Sequence, residues 1–263
     1  MNKKTQMIII AVLVMLAIGV GIYFATRPKT ETKAAKETLI IATEGNWSPW
    51  TYHDVNGVLT GFDIEVGTKI AEGLGLKPDF QEVPWESILA GVETGTFDIA
   101  CNGVGYTEER AKKFLFTDPY VYTEAVLVVR KDNNDIEKLE DLKGKKTSNS
   151  PNSTYAMRAE AIGATVVYVD TLGETMMMVE DGRVDATINA KSSVEDYLKE
   201  HPNARIKIVQ TVAGEPVCYP IQKTAENEEL LKKINGILDG MRQDGTLAAL
   251  SKKYFGEDLT KAE

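Results

Sequence analysis

The sequence predicts an α/β protein assembled from two successive βα series, and three observations carry that expectation. From residue 38 onward, short apolar runs alternate with helix-period patterns, as they do where strands and crossover helices follow one another. A polar turn at 130–135 (Arg-Lys-Asp-Asn-Asn-Asp) then closes one series before a second begins. At 263 residues the chain is long enough for one large domain or two small ones sharing a core.

The first series opens with Thr38-Leu-Ile-Ile-Ala-Thr43, a strand candidate. Gly61-Phe-Asp63 starts a helix with Ile64, Val66, Ile70, Ala71 and Leu74 on its apolar side, and Asp63 stands where a carboxylate can accept the first turn's free N–H groups. A strand at 80–83 leads to a helix opened by Pro84 and Trp85. Its apolar residues Trp85, Ile88, Leu89 and Val92 fall at i, i+3, i+4 and i+7. A third strand at 97–100 precedes the irregular Asn102-Gly-Val-Gly-Tyr-Thr107. The apolar strand 125–129 leads into the dividing turn. In the second series the pattern predicts a helix from about Thr154, a strand at 165–169, a helix at 171–181 and strands at 185–188 and 206–209. A strand near 217–221, a long amphipathic helix at 225–244 and a shorter one at Thr246–Phe255 end the chain. Met176-Met-Met178, at helical spacing with Leu172 and Val179, reads as core filling.

Ahead of these elements, residues 7–25 form an uncharged run, MIIIAVLVMLAIGVGIYFA, of about the length a helix needs to cross a bilayer. A cleaved leader has a shorter apolar core and a small-x-small site, which Tyr23-Phe24-Ala25 matches poorly, so a retained anchor is the expectation. Residues 26–36, rich in Lys, Thr and Ala, read as a linker. Either way the body is expected on the far side of the cytoplasmic membrane, at the cell surface or in the periplasm. That body, 37–263, carries 24 basic and 38 acidic side chains, a formal −14 that repels phosphate backbones and argues against nucleic-acid binding. Two cysteines, Cys101 and Cys218, cannot make a disulfide framework or a zinc knuckle; one bridge is possible, though both lie in apolar runs. His53 and His201 sit in polar turn-like segments outside any Ser/Cys-His or metal-ligand arrangement, so neither a metal nor another cofactor is expected.

Several short motifs stand in one order: Thr43-Glu-Gly-Asn-Trp-Ser-Pro-Trp50, Gly61-Phe-Asp63, Trp85-Glu-Ser-Ile-Leu-Ala-Gly91, Phe97-Asp98, Thr107-Glu-Glu-Arg110 and Phe116-Thr-Asp-Pro-Tyr120. They are followed by LEDLKGK at 139–145 and Gly182-Arg-Val-Asp-Ala186. Over about residues 38–257 this set resembles the extracytoplasmic solute-binding proteins of family 3, the polar amino-acid-binding components of ABC importers. The resemblance implies a two-lobed, periplasmic-binding-protein-like (type II) fold: two α/β sandwich lobes joined by two hinge strands, with a ligand enclosed between them. The crossovers would fall near 125–130 and 215–220, giving a first lobe of 38–127 plus 218–263 and a second of 128–217. It also implies partners: a small zwitterionic ligand, a permease and separate ATPase subunits, since the chain has no G-x-x-x-x-G-K-[ST] run.

A zwitterion entering a closed cleft loses hydration at both charged ends and needs a counter-group for each. Arg110 occupies the position that pairs with the ligand's α-carboxylate in similar proteins; the alternative is a surface pair with Glu108 or Glu109. Asn102 belongs to the same segment, and Gly103 and Gly105 stand where backbone must come close to a ligand. Ser153 and Thr154 can offer hydroxyls and free N–H groups to the carboxylate or serve as a plain helix cap. Trp47 and Trp85 fall where the family places residues that sandwich the ligand side chain, and Glu44 can meet a polar or cationic tail. One departure stands out. The family's GRVDAxxxD pattern ends in an ammonium-binding carboxylate, and that position here is Ala190. Glu44 could substitute, or the ligand could be a betaine-like or N-substituted amino acid held by an aromatic set of Trp47, Trp50, Tyr52, Trp85 and Tyr106. A tethered extracellular sensor and a dehydratase-type enzyme are the remaining alternatives.

Overall fold

The computed structural model describes Asn2 and residues 36–262. The apolar run at 7–25 lies outside the described residues. Among those described, no helix is long and apolar enough to cross a membrane.

In chain order the strands and helices begin with β1 (Thr38–Thr43), β2 (Asn46–Trp47), β3 (Thr51–His53), β4 (Leu59–Thr60), α1 (Phe62–Gly73), β5 (Lys77–Glu82), α2 (Trp85–Thr94) and β6 (Ile99–Ala100). They continue through α3 (Glu108–Lys113), β7 (Phe114–Phe116), β8 (Val121–Arg130), β9 (Lys146–Asn149), α4 (Thr154–Ile162), β10 (Thr165–Tyr168), α5 (Leu172–Glu180) and β11 (Ala186–Ala190). The last are α6 (Lys191–Glu200), β12 (Ile206–Val217), β13 (Pro220–Gln222), α7 (Asn227–Gln243) and α8 (Thr246–Phe255). Two five-stranded sheets result, ordered β5-β1-β6-β13-β7 and β10-β9-β11-β8-β12, with a small β2-β3-β4 sheet beside them. Each large sheet is the centre of one lobe.

Both sheets are covered on two faces, which is why β1 and the second half of β8 read as nearly continuous apolar runs. In the first lobe, Ile41, Ile99 and Ile221 pack with Phe62, Val66 and Ile70 of α1 and with Ile234 and Leu238 of α7. Ala42 and Ala100 meet Ile88 and Val92 of α2 on the opposite face. In the second lobe, Leu127, Val129 and Ile188 pack toward Ala159 of α4, and Val126 and Val128 toward Met176 and Val179 of α5 and Val194 of α6. Strands β8 and β12 belong to both cores. Val121 and Val217 are buried in the first, whereas Val126, Val128 and Ile206 are buried in the second.

Helix ends follow local chemistry. Thr171 and Glu174 form a reciprocal capping box at α5, and Ser153 accepts the Ala156 N–H at 3.1 Å to cap α4. Gly95 and Gly163, both left-handed, end α2 and α4. Asp63 does something else. Its carboxylate is fully buried and caps nothing in α1; it accepts the Tyr120 hydroxyl (2.7 Å), the Tyr219 hydroxyl (2.8 Å) and the Gly103 N–H (2.5 Å). Burial pushes this carboxyl up to about 6, although all three donors act to hold it down.

Pairing moved several expected boundaries. β5 starts at Lys77 because its register with β1 pairs Thr38 with Lys77, irrespective of the polar Lys-Pro-Asp sequence. β12 extends to Val217 since it pairs with β8 for nearly its whole length, across two irregularities. The polar strand Lys-Thr-Ser-Asn of β9 showed no apolar signal, yet it is inserted between β10 and β11. Cys101 and Cys218 are both buried and free, so no bridge forms.

Replacing Asp63 with Ala leaves two hydroxyls and one amide without their acceptor. It is expected to lower unfolding free energy by about 3 kcal/mol or more, read as a fall in urea midpoint. Asp63→Asn should also destabilise, because its amide turns one acceptor into a donor facing donors.

Candidate functional site

A cavity lies between the lobes. The nine sequence-predicted residues (Glu44, Trp47, Trp85, Asn102, Gly103, Gly105, Arg110, Ser153 and Thr154) all line it.

Arg110 is placed by α3, a six-residue helix whose N-cap Thr107 hydroxyl accepts the Arg110 N–H at 3.1 Å. Its side chain turns inward and is 6% exposed. Nη1 donates to the Gly105 carbonyl at 2.7 Å and Nη2 to the Asn152 carbonyl at 2.8 Å, which leaves further N–H donors of the guanidinium unspent. The guanidinium carbon lies 5.6 Å from the centre of the Trp85 ring. Among the described residues no carboxylate pairs with Arg110, and neither Glu108 nor Glu109 forms the surface pair that sequence allowed. Glu215, the acid whose charge most affects it, is engaged with Arg158 at 2.7 Å. Burial pulls the guanidinium below its ordinary value, a direction Glu215 partly opposes.

Glu44 follows β1 and is gripped by Asn102. The Asn102 Oδ1 accepts the Glu44 N–H at 2.9 Å, and its Nδ2 donates to Glu44 Oε2 at 2.7 Å. Burial pushes the Glu44 carboxyl up to about 7; Asn102 and the Trp85 backbone N–H oppose this, and the charge of Asp170 adds to it. Gly103 has φ +56°, and a Cβ there would stand 2.6 Å from the Trp47 ring, so a side chain at 103 would displace the aromatic floor. Trp47 stacks on Trp50 at 5.4 Å between ring centres, joining the cavity to the first lobe's core. Ser153 caps α4 and also lines the cavity.

The broader aromatic set is not gathered. Trp50 is 1% exposed and packs on Phe62 and Phe255, and Tyr106 lies edge-on to Phe116 with its hydroxyl toward Glu108. Of the five rings, only Trp47 and Trp85 line the cavity. Residues that sequence reasoning missed include Asn149, Asp170, Asn189 and Glu215. Asp170 carried a signal, since it immediately precedes the Thr171–Glu174 capping box; Asn149 carried none, lying in a strand that went unrecognised.

The lobes are held together around the cavity by direct hydrogen bonds. Trp85 Nε1 donates to the Pro151 carbonyl at 2.9 Å, Arg110 reaches Asn152, and the Ser48 hydroxyl donates to Asp196 of α6 at 2.5 Å. Each joins a first-lobe side chain to the second lobe, so the cleft is closed.

Comparison with known proteins matches this geometry. A probable amino-acid ABC transporter-binding protein of Haemophilus influenzae is 41% identical over 225 residues, covering 86% of this chain and 87% of that protein. An ancestral arginine-binding protein bound to arginine superposes with a TM-score of 0.78 at 37% identity, over 84% of this chain and 99% of the other. The L-cystine solute receptor of Neisseria gonorrhoeae, in an unliganded open conformation, is 39% identical over 87% of this chain and 97% of its own, yet its TM-score is 0.56. At 37% and 39% identity, the closed lobes of this chain follow the arginine-bound structure more closely than the open one. Residues 39–257 match the model for bacterial extracellular solute-binding proteins, family 3, and the chain belongs to that family.

Proposed function

We propose that this protein captures a small amino acid in the interlobe cleft, outside the cytoplasmic membrane, and presents it to an ABC importer. The observation that carries the reading is Arg110: a buried guanidinium with unspent donors and no anionic partner among the described residues, lining the interlobe cavity. A buried cation without a counter-charge costs several kcal/mol, and a ligand carboxylate supplies that charge. Ser153 and Thr154, at the N-terminus of α4, add donors from the second lobe. Trp47 and Trp85 flank the ligand's side chain, and Gly103 and Gly105 let backbone approach it. The names of the relatives support an amino acid as ligand and an ABC system as partner.

In this reading the lobes divide within β8 and β12, the hinge between two sheets; sequence set the limits at 38–127 plus 218–263 and 128–217, whereas Ala125, Val126 and Leu127 pack in the second lobe's core. Residues 7–25 serve as the membrane tether in this proposal. We read the site as a binding site, a reading that the relatives' names support. The betaine reading loses its aromatic box, as only two of its five rings reach the chamber.

Three measurements check these statements. Mass spectrometry of the small molecule released on denaturing purified protein should identify an amino acid. Arg110→Ala should weaken its binding at least 100-fold by calorimetry while the melting temperature without ligand stays within about 3 °C; retention of affinity within threefold removes Arg110 from the site. With Glu44 near pKa 7 in the empty chamber, its carboxyl is largely neutral at pH 6 and largely charged at pH 8. A ligand cation stabilises the charged form, so affinity should rise with pH across that interval with release of a proton, and Glu44→Gln should flatten the rise.

A further inference from the structure

We propose that α6 is a closure latch: the Asp196 carboxylate receives the Ser48 hydroxyl across the cleft, outside the ligand chamber, and this bond sets how long a ligand stays without touching it. The inference rests on the binding reading above and goes beyond it, because it assigns residence time to two residues that do not line the chamber.

Asp196 lies on α6 in the second lobe, and Ser48 lies between β2 and β3 in the first; both are half-buried. The Ser48 hydroxyl donates to the Asp196 Oδ2 at 2.5 Å. Among the described residues no cation pairs with Asp196, so its charge is met by this hydroxyl from the other lobe. A hydroxyl held by a carboxylate makes a charge-assisted bond, shorter and stronger than a neutral one. Asp196 also lies within electrostatic reach of the Tyr52 hydroxyl on β3, so this part of α6 faces the paired strands β2 and β3.

The second lobe carries α6 firmly, since Ser193 and Val194 are buried in it. At the first residue of the helix, Lys191 Nζ donates to the Glu124 Oε2 of β8 at 2.6 Å and stands 3.9 Å from Glu257 in the C-terminal segment of the first lobe. That segment is itself fastened. The Tyr122 N–H of β8 donates to the Leu259 carbonyl at 2.8 Å, and the Ser251 hydroxyl donates to the Glu257 carbonyl at 2.7 Å. One end of α6 is therefore pinned beside the connecting strands. Asp196, about 7 Å farther along the helix axis, reaches Ser48 when the lobes meet. Opening breaks the Asp196 bond and leaves the Lys191–Glu124 pair in place.

Both halves of the latch are short extensions of the chamber wall. Trp47 lines the chamber and immediately precedes Ser48; Asn189 lines it from β11, two residues before Lys191. A ligand that draws these walls together thus favours the arrangement in which Ser48 meets Asp196, and the bond in turn favours the closed form. The latch differs from a ligand contact in one measurable respect. A bond between the lobes raises the affinity of every enclosed ligand by the same factor, whereas a bond to the ligand alters the order of preference. In the open form water replaces the hydroxyl at Asp196, so the factor is about ten, not a loss of binding.

The test is calorimetric titration of the full chain with the twenty L-amino acids and L-cystine, followed by stopped-flow dissociation of the two tightest binders. Ser48→Ala and Asp196→Ala should each weaken both ligands about tenfold, chiefly through faster dissociation, and keep the ratio between the two ligands within threefold of wild type. The double variant should be no weaker than either single one, because both remove the same bond. A loss below threefold in either single variant, or a ratio changed by more than threefold, overturns the proposal. If wild type binds none of the compounds, the amino-acid reading falls and the latch is decided on the unliganded chain. Spin labels at Val55→Cys and Asn134→Cys, exposed positions on different lobes, then report the distance between the lobes by pulsed electron resonance. A closed population in wild type that Ser48→Ala reduces supports the latch, and identical distance distributions overturn it.

Discussion

A single buried carboxylate organises the first lobe and, through it, the ligand cleft. Asp63 sits in the first turn of α1 and receives one donor from the Gly103 loop and one from each of Tyr120 and Tyr219. Tyr120 and Tyr219 stack with ring centres 4.0 Å apart, and they lie next to the ends of β8 and β12. The same side chain therefore ties the helix, the glycine-bearing loop and the base of both connecting strands into one unit. That anchor holds the Gly103–Gly105 backbone together with the Cys218 N–H, which donates to the Val104 carbonyl at 3.0 Å, and the Gly105 carbonyl in turn accepts the Arg110 guanidinium.

Charge is distributed unevenly between framework and cleft. Around the framework, acids and bases find each other: Lys191 with Glu124 at 2.6 Å, Arg158 with Glu215 at 2.7 Å, Arg242 with Asp239 at 2.8 Å. In the chamber, the buried Arg110 and the half-buried Glu44 lack opposite charges among the described residues. Such an arrangement is poor for stability and well suited to recognition, since a charge left unpaired in a sheltered space is satisfied only by what enters it. The raised pKa of Glu44 expresses the same imbalance from the side of the protein.

Closure depends on few direct bonds. Trp85 and Arg110 both donate to consecutive carbonyls of the 151–152 turn, and Ser48 reaches Asp196 on α6. Two of these three donors are also cavity-lining residues. In the proposed reading, ligand contact and lobe contact share these side chains, which couples occupancy to closure without a separate relay. The long antiparallel pairing of β8 with β12 lets the lobes move as bodies about a continuous ribbon.

Periodicity alone located most strands and helices here, because both sheets are covered on two faces and burial imposes apolar runs at the strand spacing. The ordered motifs, from Thr43 through Arg110 to Ala186, were enough to place nine residues that share one cavity. Where pairing rather than burial sets an element, the chain was silent: β9 is polar and exists because strands lie on both sides of it, and α6 buries little beyond Val194 and Ser193. The same limit governed the site. Arg110 announces itself within a motif, but whether it pairs with Glu108, Glu109 or nothing depends on which way a six-residue helix points it. Asp196 became notable only once α6 was seen to bring its carboxylate to Ser48 of the other lobe. Local sequence determined which groups were available; the three-dimensional packing decided which of them remained unpaired, because a missing partner is a property of everything that surrounds a side chain in space.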